Sequence, residues 1–247
     1  MKNSNIQLIN ESGKRVDGRY PNEMRRLRIE AGVLKNADGS AYIELGNNKI
    51  IVAVYGPHES TPKYLAEPDR AVIRCRYSMA PFSVSDRKSP SPSRREVELS
   101  MVIRQALEPA VFLNEYPRTM IDVFIEVLEA DGGTRTASIT AAAVALADAG
   151  IAMRDLVSAI AIGKVGGRLV VDLNGLEDQY GEGDMPIAMM PQLNYVTLFQ
   201  ADGVFTPQEI EDAFRMVADP IKKIYREQKR ALKKKYVDVV REVEKSE

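Results

Sequence analysis

Residues 119–150 read TMIDVFIEVLEADGGTRTASITAAAVALADAG, and this stretch decides the fold class. Residues 119–128 alternate, which places Ile121, Val123, Ile125 and Val127 on one side of a strand. Asp131-Gly132-Gly133 breaks the alternation. Thr134 to Ala149 then reads as a helix of small residues, stopped by Gly150. An alanine-rich helix is a packing helix, because small side chains let a neighbouring element come close.

Upstream, Ala41–Leu45 and Lys49–Tyr55 are strand signals separated by the turn Gly46-Asn47-Asn48, and Ala37-Asp38-Gly39 marks another turn. Residues 71–79 alternate Ile73, Cys75, Tyr77 and Met79 against Val72, Arg74, Arg76 and Ser78. A loop rich in Ser and Pro, Pro81 to Pro92, leads to Ser93 and Glu96, spaced as a capping box. The helix it opens carries Val97, Met101, Arg104, Leu107 and Val111 at helical spacing, with Pro109 as a kink or break. Downstream, Ala159–Val165, Arg168–Leu173, Pro186–Met190 and Asn194–Phe199 read as strands, the first two joined through Gly166-Gly167. Thr206 and Glu209 form a second capping-box pattern, with Pro207 at the first helical position, opening a long helix over 206–243. Residues 1–20 read as an irregular arm. Hairpins dominate and helices come late in each half, which predicts an α+β fold with mixed or antiparallel sheets, as a single domain over 1–247.

Hydrophobic side chains are 45% and charged ones 28% of the 247 residues, which excludes a disordered or collagen-like chain. Lys+Arg is 34 against Asp+Glu 35, so a globally basic nucleic-acid binder is excluded but a locally basic one is not. Cys75 is the one cysteine and His58 the one histidine, which excludes a disulfide framework, a multi-cysteine zinc site and any site needing two imidazoles. His58 reads as a loop residue without a catalytic role and Cys75 as a packed thiol. Met185, Met189 and Met190 read as core. The polar start MKNSNIQLINESGKR has no signal-peptide core, and no run of about 18 apolar residues is present, so a soluble cytoplasmic protein is the expectation.

Charge is uneven along the chain. Residues 61–95 hold eight basic side chains against three acidic ones, and residues 221–247 hold ten against five. Both are compatible with a solvated face, and the first also with a polyanion. Three segments carry chemistry. Asp131 to Ser138 joins a strand to a helix start through two glycines, with hydroxyls on Thr134, Thr136 and Ser138 and a guanidinium on Arg135. Free N–H groups and the dipole at such a helix start suit a phosphate, while a plain Thr-capped turn accounts for the pattern equally well. No G-x-G-x-x-G or GK[ST] motif is present. Arg94 and Arg95 sit at another helix start, where they oppose the dipole unless an anion or a carboxylate lies nearby. Glu177, Asp178, Glu182 and Asp184 put four carboxylates within eight residues, as an acidic surface loop, a Mg²⁺ site or the seat of a general acid.

Taken together, the motifs resemble the RNase PH family of phosphorolytic 3′→5′ exoribonucleases, and within it the catalytic ring subunits of archaeal exosomes. The resemblance rests on Arg15-Val16-Asp17-Gly18-Arg19, Ile29 to Leu34 with Asp38-Gly39-Ser40-Ala41, and Val54-Tyr55-Gly56-Pro57. It rests further on Tyr77 to Ser83, Pro92-Ser93-Arg94-Arg95-Glu96, Gly132-Gly133-Thr134-Arg135-Thr136 and Asp184 to Pro191. It implies two βαβα-type halves with mixed sheets packed on helices. It implies inorganic phosphate as co-substrate, Mg²⁺, single-stranded RNA as substrate, and nucleoside diphosphates as products of a reversible reaction. The implied assembly is a hexameric ring of three heterodimers with an inactive RNase PH-like homologue, capped by RNA-binding proteins and without membrane contact. On this resemblance the phosphate site is Arg95, Gly133, Thr134, Arg135, Thr136 and Ser138. Asp178 is the general acid and Asp184 the metal or supporting carboxylate, both being candidate metal ligands. Arg94 with Lys63, Arg70, Arg74 and Arg76 grips the RNA backbone, and Tyr64 stacks on a base. Bacterial-type RNase PH trimming tRNA 3′ ends, a non-catalytic RNA-binding ring subunit and a metal-dependent hydrolase are the alternatives.

Overall fold

The computed structural model describes the backbone of residues 8–10 and 12–246 and side chains up to residue 237. Ten strands and four α-helices follow one another as β1 (Leu27–Ala31), β2 (Gly39–Leu45), β3 (Asn48–Glu59), β4 (Val72–Met79), α1 (Arg94–Leu107), β5 (Thr119–Glu129), α2 (Thr134–Asp148), β6 (Ser158–Val165), β7 (Arg168–Val171), α3 (Gly175–Tyr180), β8 (Gly183–Met190), β9 (Tyr195–Phe199), β10 (Asp202–Gly203) and α4 (Pro207–Ser246). The first sheet has the order β1-β2-β3-β5-β4. Its β4–β5 pair is parallel and the other pairs are antiparallel. The second sheet, β10-β8-β6-β7 with β9 also on β8, is antiparallel throughout. This is the mixed α+β architecture that the hairpin-rich sequence predicts.

Helix α2 sits between the sheets, packing on β2 and β3 of the first and on β6 and β8 of the second. Twelve of its fifteen residues are buried, so its few polar groups need internal partners. The Thr140 hydroxyl accepts from Ala159 N at 3.1 Å. The Gln228 amide of α4 donates to the Thr140 and Val157 carbonyls at 2.9 Å each. Asp148 accepts from Ser40 N at 3.0 Å and pairs with Lys235 at 2.5 Å. Close approach has its own requirement at Gly39, where a Cβ would stand 2.3 Å from the Ala145 carbonyl oxygen and the Ala149 nitrogen. Gly39→Ala is therefore expected to push α2 off β2 and cost about 1–3 kcal/mol, read as a lowered chemical-denaturation midpoint.

Several expectations need correction. The helix over 206–243 extends in backbone to Ser246. Residues 8–20 are irregular but not a free arm: Leu8 is buried against Val165, Val170 and Leu173, and Arg15 is buried against Glu177. Residues 1–7 and 11 of that expectation lie outside the described residues. In α1 the buried stripe is Leu99, Val102, Ile103, Ala106 and Leu107, whereas Val97 and Met101 are 64% and 48% exposed. Two apolar stripes run along this helix, and spacing does not say which faces the core. The strand β1 was not anticipated. Neither was α3, which replaces much of the expected acidic loop because Asn174 and Glu177 form a capping box. His58 lies at the end of β3 rather than in a loop, with Nε2 3.2 Å from Asp122. Met185 and Met190 are core residues, as read. Among the described residues no helix is long and apolar enough to cross a membrane.

Candidate active site

The strand–glycine–helix junction that decides the fold also builds the site. Strand β5 ends at Glu129 and helix α2 begins at Thr134. Gly132 and Gly133 both take φ of +68°, a conformation other residues enter at a cost. A Cβ on Gly132 would also stand 2.6 Å from the Asn174 carbonyl carbon. No side chain caps α2, so its first-turn N–H groups keep their donor capacity. The Thr134 hydroxyl shares a 2.9 Å hydrogen bond with the Tyr77 hydroxyl. The Thr136 hydroxyl donates to the Gly133 carbonyl at 2.9 Å, so its proton is committed within the turn.

Gly133, Thr134, Arg135 and Thr136 line a small cleft together with Arg95, Asp178 and Asp184. Its accessible volume is about 30 Å³. A single water needs roughly 10–15 Å³ on that scale, so there is room for a small ion. Ser138, expected with this group, does not line the cleft: it lies one turn deeper in α2, fully buried, with its hydroxyl unpartnered. The much larger groove of about 1060 Å³ runs along α4, away from all of these residues.

The electrostatics of the cleft are two-sided. Neither Arg95 nor Arg135 is in an ion pair among the described residues. The Arg135 guanidinium donates to the Gln200 amide oxygen, and its Nε is buried without a partner. A buried donor left over beside a cleft is what an anion would satisfy. Glu96, the nearest acidic residue in sequence to Arg95, spends its carboxylate on backbone donors. It accepts from Ser93 N at 2.7 Å and Met79 N at 3.0 Å. On the other side, burial first and the charge of Asp178 second push the Asp184 carboxyl above the usual range. Arg135 and Arg95 pull it down and Asp202 pushes it further up. Asp202 sits directly opposite Asp184 in the β8–β10 pair.

The four-carboxylate cluster does not form. Glu177 is buried against Arg15, with Arg15 Nε at 2.7 Å. Glu182 accepts from Gly167 N at 2.7 Å. Only Asp178 and Asp184 face the cleft, and among the described residues no three His, Cys, Asp or Glu side chains gather as a metal cage. A pair of hard oxygen ligands still suits Mg²⁺, which takes one or two carboxylates and completes its shell with water and phosphate oxygens.

The residues expected on RNA scatter. Arg94 stands beside Arg95 at the start of α1, exposed and outside any ion pair among the described residues. Arg76 is likewise exposed and unpaired there, but it projects from the face of β4 opposite to Tyr77. Arg74 is bound to Asp122 at 2.7 and 2.6 Å, Arg70 pairs with Glu67, and Lys63 pairs with Glu59 at 3.0 Å. Tyr64 is 84% exposed. Burial pushes the Cys75 thiol up to about 12, which leaves it protonated and unreactive near neutral pH. The sequence reading missed Tyr77 and Gln200, which orient Thr134 and Arg135, and Asp202, which acts on Asp184. A Tyr, a Gln and an Asp far apart in sequence carry no local signal of this.

Residues 23–152 match the 3′ exoribonuclease family, domain 1 (RNase PH), and residues 155–216 match domain 2 of the same family. The chain is 57% identical over 242 residues to the exosome complex component Rrp41 of Thermococcus kodakarensis, covering 98% of this chain and 97% of that protein. Its fold overlays the crystal structure of rice (Oryza sativa) Rrp46 with a TM-score of 0.78 at 25% identity, over 87% of this chain and 98% of the other. An Archaeoglobus fulgidus exosome with RNA bound to its active site gives a TM-score of 0.75 at 25% identity, over 86% and 92% of the two chains.

Proposed function

The chain belongs to the RNase PH family of 3′ exoribonucleases, and from that membership we propose that it degrades single-stranded RNA from the 3′ end by phosphorolysis, as a catalytic ring subunit of an exosome. One observation carries the reading. Two arginines outside any carboxylate pair among the described residues and a pair of aspartates line one cleft of phosphate size. A hydrolytic nuclease would leave the arginine side without a task.

In this mechanism Arg95, Arg135 and the first-turn N–H groups of α2 bind inorganic phosphate and aim one of its oxygens at the terminal phosphodiester. That oxygen attacks phosphorus, and the bond from phosphorus to the 3′ oxygen of the penultimate nucleotide breaks. The leaving oxygen takes a proton and becomes the new 3′ hydroxyl, while the last nucleotide departs as a 5′-diphosphate. The reverse reaction adds a nucleotide and releases phosphate. The two guanidinium groups offset negative charge spread over the transferring phosphoryl group. The proton comes from the Asp178/Asp184 pair. Sequence reasoning gave that task to Asp178; burial and two neighbouring carboxylates make the acid form more favourable at Asp184, so we assign it there. With Asp184 as the acid, Asp178 would be the carboxylate that holds Mg²⁺, which when bound supplies charge neutralisation to phosphate oxygens.

The assembly we propose is a cytoplasmic ring of three heterodimers with a homologous, inactive chain, carrying RNA-binding cap proteins. In support, β4 is an open sheet edge and the apolar side chains of Val97 and Met101 stand exposed beside it, as on a surface that a partner covers. The full chain, alone and with the homologous subunit, is expected to shorten single-stranded RNA only when phosphate is present. Shortening at an undiminished rate without phosphate would overturn the reading.

Arg94 grips the RNA backbone in this account and takes no part in phosphate binding. Arg94→Ala is expected to weaken RNA binding severalfold and to lower the salt slope of log affinity by about 0.7, one phosphate contact on a single strand. The KM for phosphate should stay unchanged. Filter binding over a salt series, with phosphate kinetics alongside, checks both.

A further inference from the structure

Arg25 takes no part in the chemistry above and does not line the cleft, yet it is among the most heavily bonded side chains in the molecule. It is buried on the other side of the Asp131–Gly133 loop. Asp172 holds it bidentately, with Nε at 3.0 Å and Nη2 at 2.7 Å, and accepts from its backbone N at 2.7 Å. Asp172 itself is buried with φ of +59°, a conformation unusual for a residue with a side chain. Held in this way, the guanidinium donates to two consecutive backbone carbonyls, those of Asp131 and Gly132, the second at 3.1 Å. Asn48 reinforces the grip: it donates to the Gly132 carbonyl at 2.5 Å and accepts from Asp131 N at 2.6 Å.

A trans peptide is planar, and its C=O and N–H point in opposite directions. Fixing the Gly132 carbonyl toward Arg25 therefore turns the Gly133 N–H away from Arg25, and Gly133 is a cleft residue. Fixing the Asp131 carbonyl does the same for the Gly132 N–H. Two glycines in succession would otherwise let these peptides rotate freely. The same loop is tied to the helix that bears Asp178. The Asp131 carboxylate accepts from Gly175 N, the first residue of α3, at 2.7 Å and lies 3.6 Å from Arg25 Nη1.

We propose that Arg25 is a positioning residue for phosphate: locked by Asp172, it fixes the two successive glycine peptides so that the Gly133 N–H is presented to the anion, and through Asp131 it fixes this loop to α3 and hence to Asp178. The proposal rests on the phosphorolytic reading of the cleft. Lysine keeps the charge of Arg25 but cannot span a bidentate carboxylate and two carbonyls at once.

The test is steady-state kinetics of the full chain, alone and mixed with the homologous ring subunit, with phosphate and RNA varied separately. For Arg25→Lys the KM for phosphate should rise about 10- to 100-fold, the loss of one or two hydrogen bonds to a charged group, while the KM for RNA stays within about twofold. A purely structural role would lower thermal stability and leave the KM for phosphate unmoved at temperatures well below melting. That result, or an equal rise in both KM values, would overturn the proposal. If Arg25→Lys does not fold, Asp131→Asn is the second variant, since Asp131 is partly exposed and asparagine still accepts from Gly175 N. It should raise the KM for phosphate about threefold or more, the loss of a fraction of one charge-assisted contact, and no change overturns the proposal. If the wild-type protein itself needs no phosphate, it is the reading of the cleft that fails.

Discussion

Arg135→Ala is expected to lower phosphate-dependent RNA decay by about two to three orders of magnitude, the usual effect of removing one preorganised donor from a reacting oxyanion. The reason is specific to this side chain. Its guanidinium is steered into the cleft by Gln200 rather than by a carboxylate, so its full charge remains for the anion. Its buried Nε has no partner among the described residues. Because Arg135 is in no ion pair among the described residues and only tempers the Asp184 carboxyl at a distance, the variant should melt close to wild type. The loss should appear in kcat and in the KM for phosphate together, since the same contact serves the ground state and, more strongly, the transition state. Gln200→Ala should show a weaker form of the same defect, because it frees the guanidinium without removing it. Quantifying nucleoside diphosphate release over a phosphate series checks the prediction, and an Arg135→Ala protein with wild-type turnover would refute this assignment.

Asp184→Asn is expected to lose activity by about 10²- to 10⁴-fold, the range for a removed general acid, while gaining stability. The gain follows from the sign of the shift. Burial, Asp178 and Asp202 raise the Asp184 carboxyl above its usual value of 3.8, so the folded protein holds this proton more tightly than the unfolded chain does. Below both pKa values the residue is neutral in either state and has no effect. As pH rises through the usual value and then the folded one, the unfolded chain ionises first and the native state is penalised. Asparagine removes that penalty, so the variant should melt about 1–2 °C above wild type near pH 7, a modest figure because the site is only partly buried and water screens it. The difference should vanish as the pH falls below 3.8. Paired melting curves at the two pH values test the sign, and a variant less stable than wild type near neutrality would contradict the electrostatic picture.

The parts of the fold legible in the sequence are those whose cause is local. Ser93 with Glu96 and Thr206 with Glu209 are hydrogen-bond patterns within four residues, and the helices start where these patterns put them. The alternation of Ile121 to Val127 and the alanine run after Gly133 have similarly local causes, a pleat and a tight packing distance. The face of α1 was not legible, because Val97 and Met101 follow helical spacing as well as Leu99 and Ile103 do. What separates the two stripes is a β4–β5 sheet formed by residues far away in the chain. Helix α3 had a readable signal, Asn174 followed three residues later by Glu177, which the density of carboxylates concealed. Glu177 looked like one of four acids on a loop, and its buried partner Arg15 lies 162 residues earlier.

The candidate site divides in the same way. Arg95, Gly133, Thr134, Arg135, Thr136, Asp178 and Asp184 were found as residue types at helix starts and beside a strand, and they converge on one cleft. The division of work between the two aspartates was not legible. It depends first on the burial of Asp184 and next on the charge of Asp178, and Asp202 adds to both through a register known only once β10 lies against β8. The hydroxyl of Ser138 suits a phosphate site in sequence, but one further turn of helix carries it into the packed interior. Arg25 gave no signal at all, because its meaning lies in the two carbonyls it holds.

The most direct measurement is the fate of isotope during RNA decay. RNA is digested by the assembled protein in ¹⁸O-labelled phosphate and ordinary water, and in ordinary phosphate with ¹⁸O-labelled water, and the released nucleotides are weighed by mass spectrometry. The account predicts nucleoside diphosphates that carry the phosphate label and no label from water. Nucleoside monophosphates carrying ¹⁸O from water would mean that water is the nucleophile, and would contradict the assignment of Arg95 and Arg135 to an attacking phosphate.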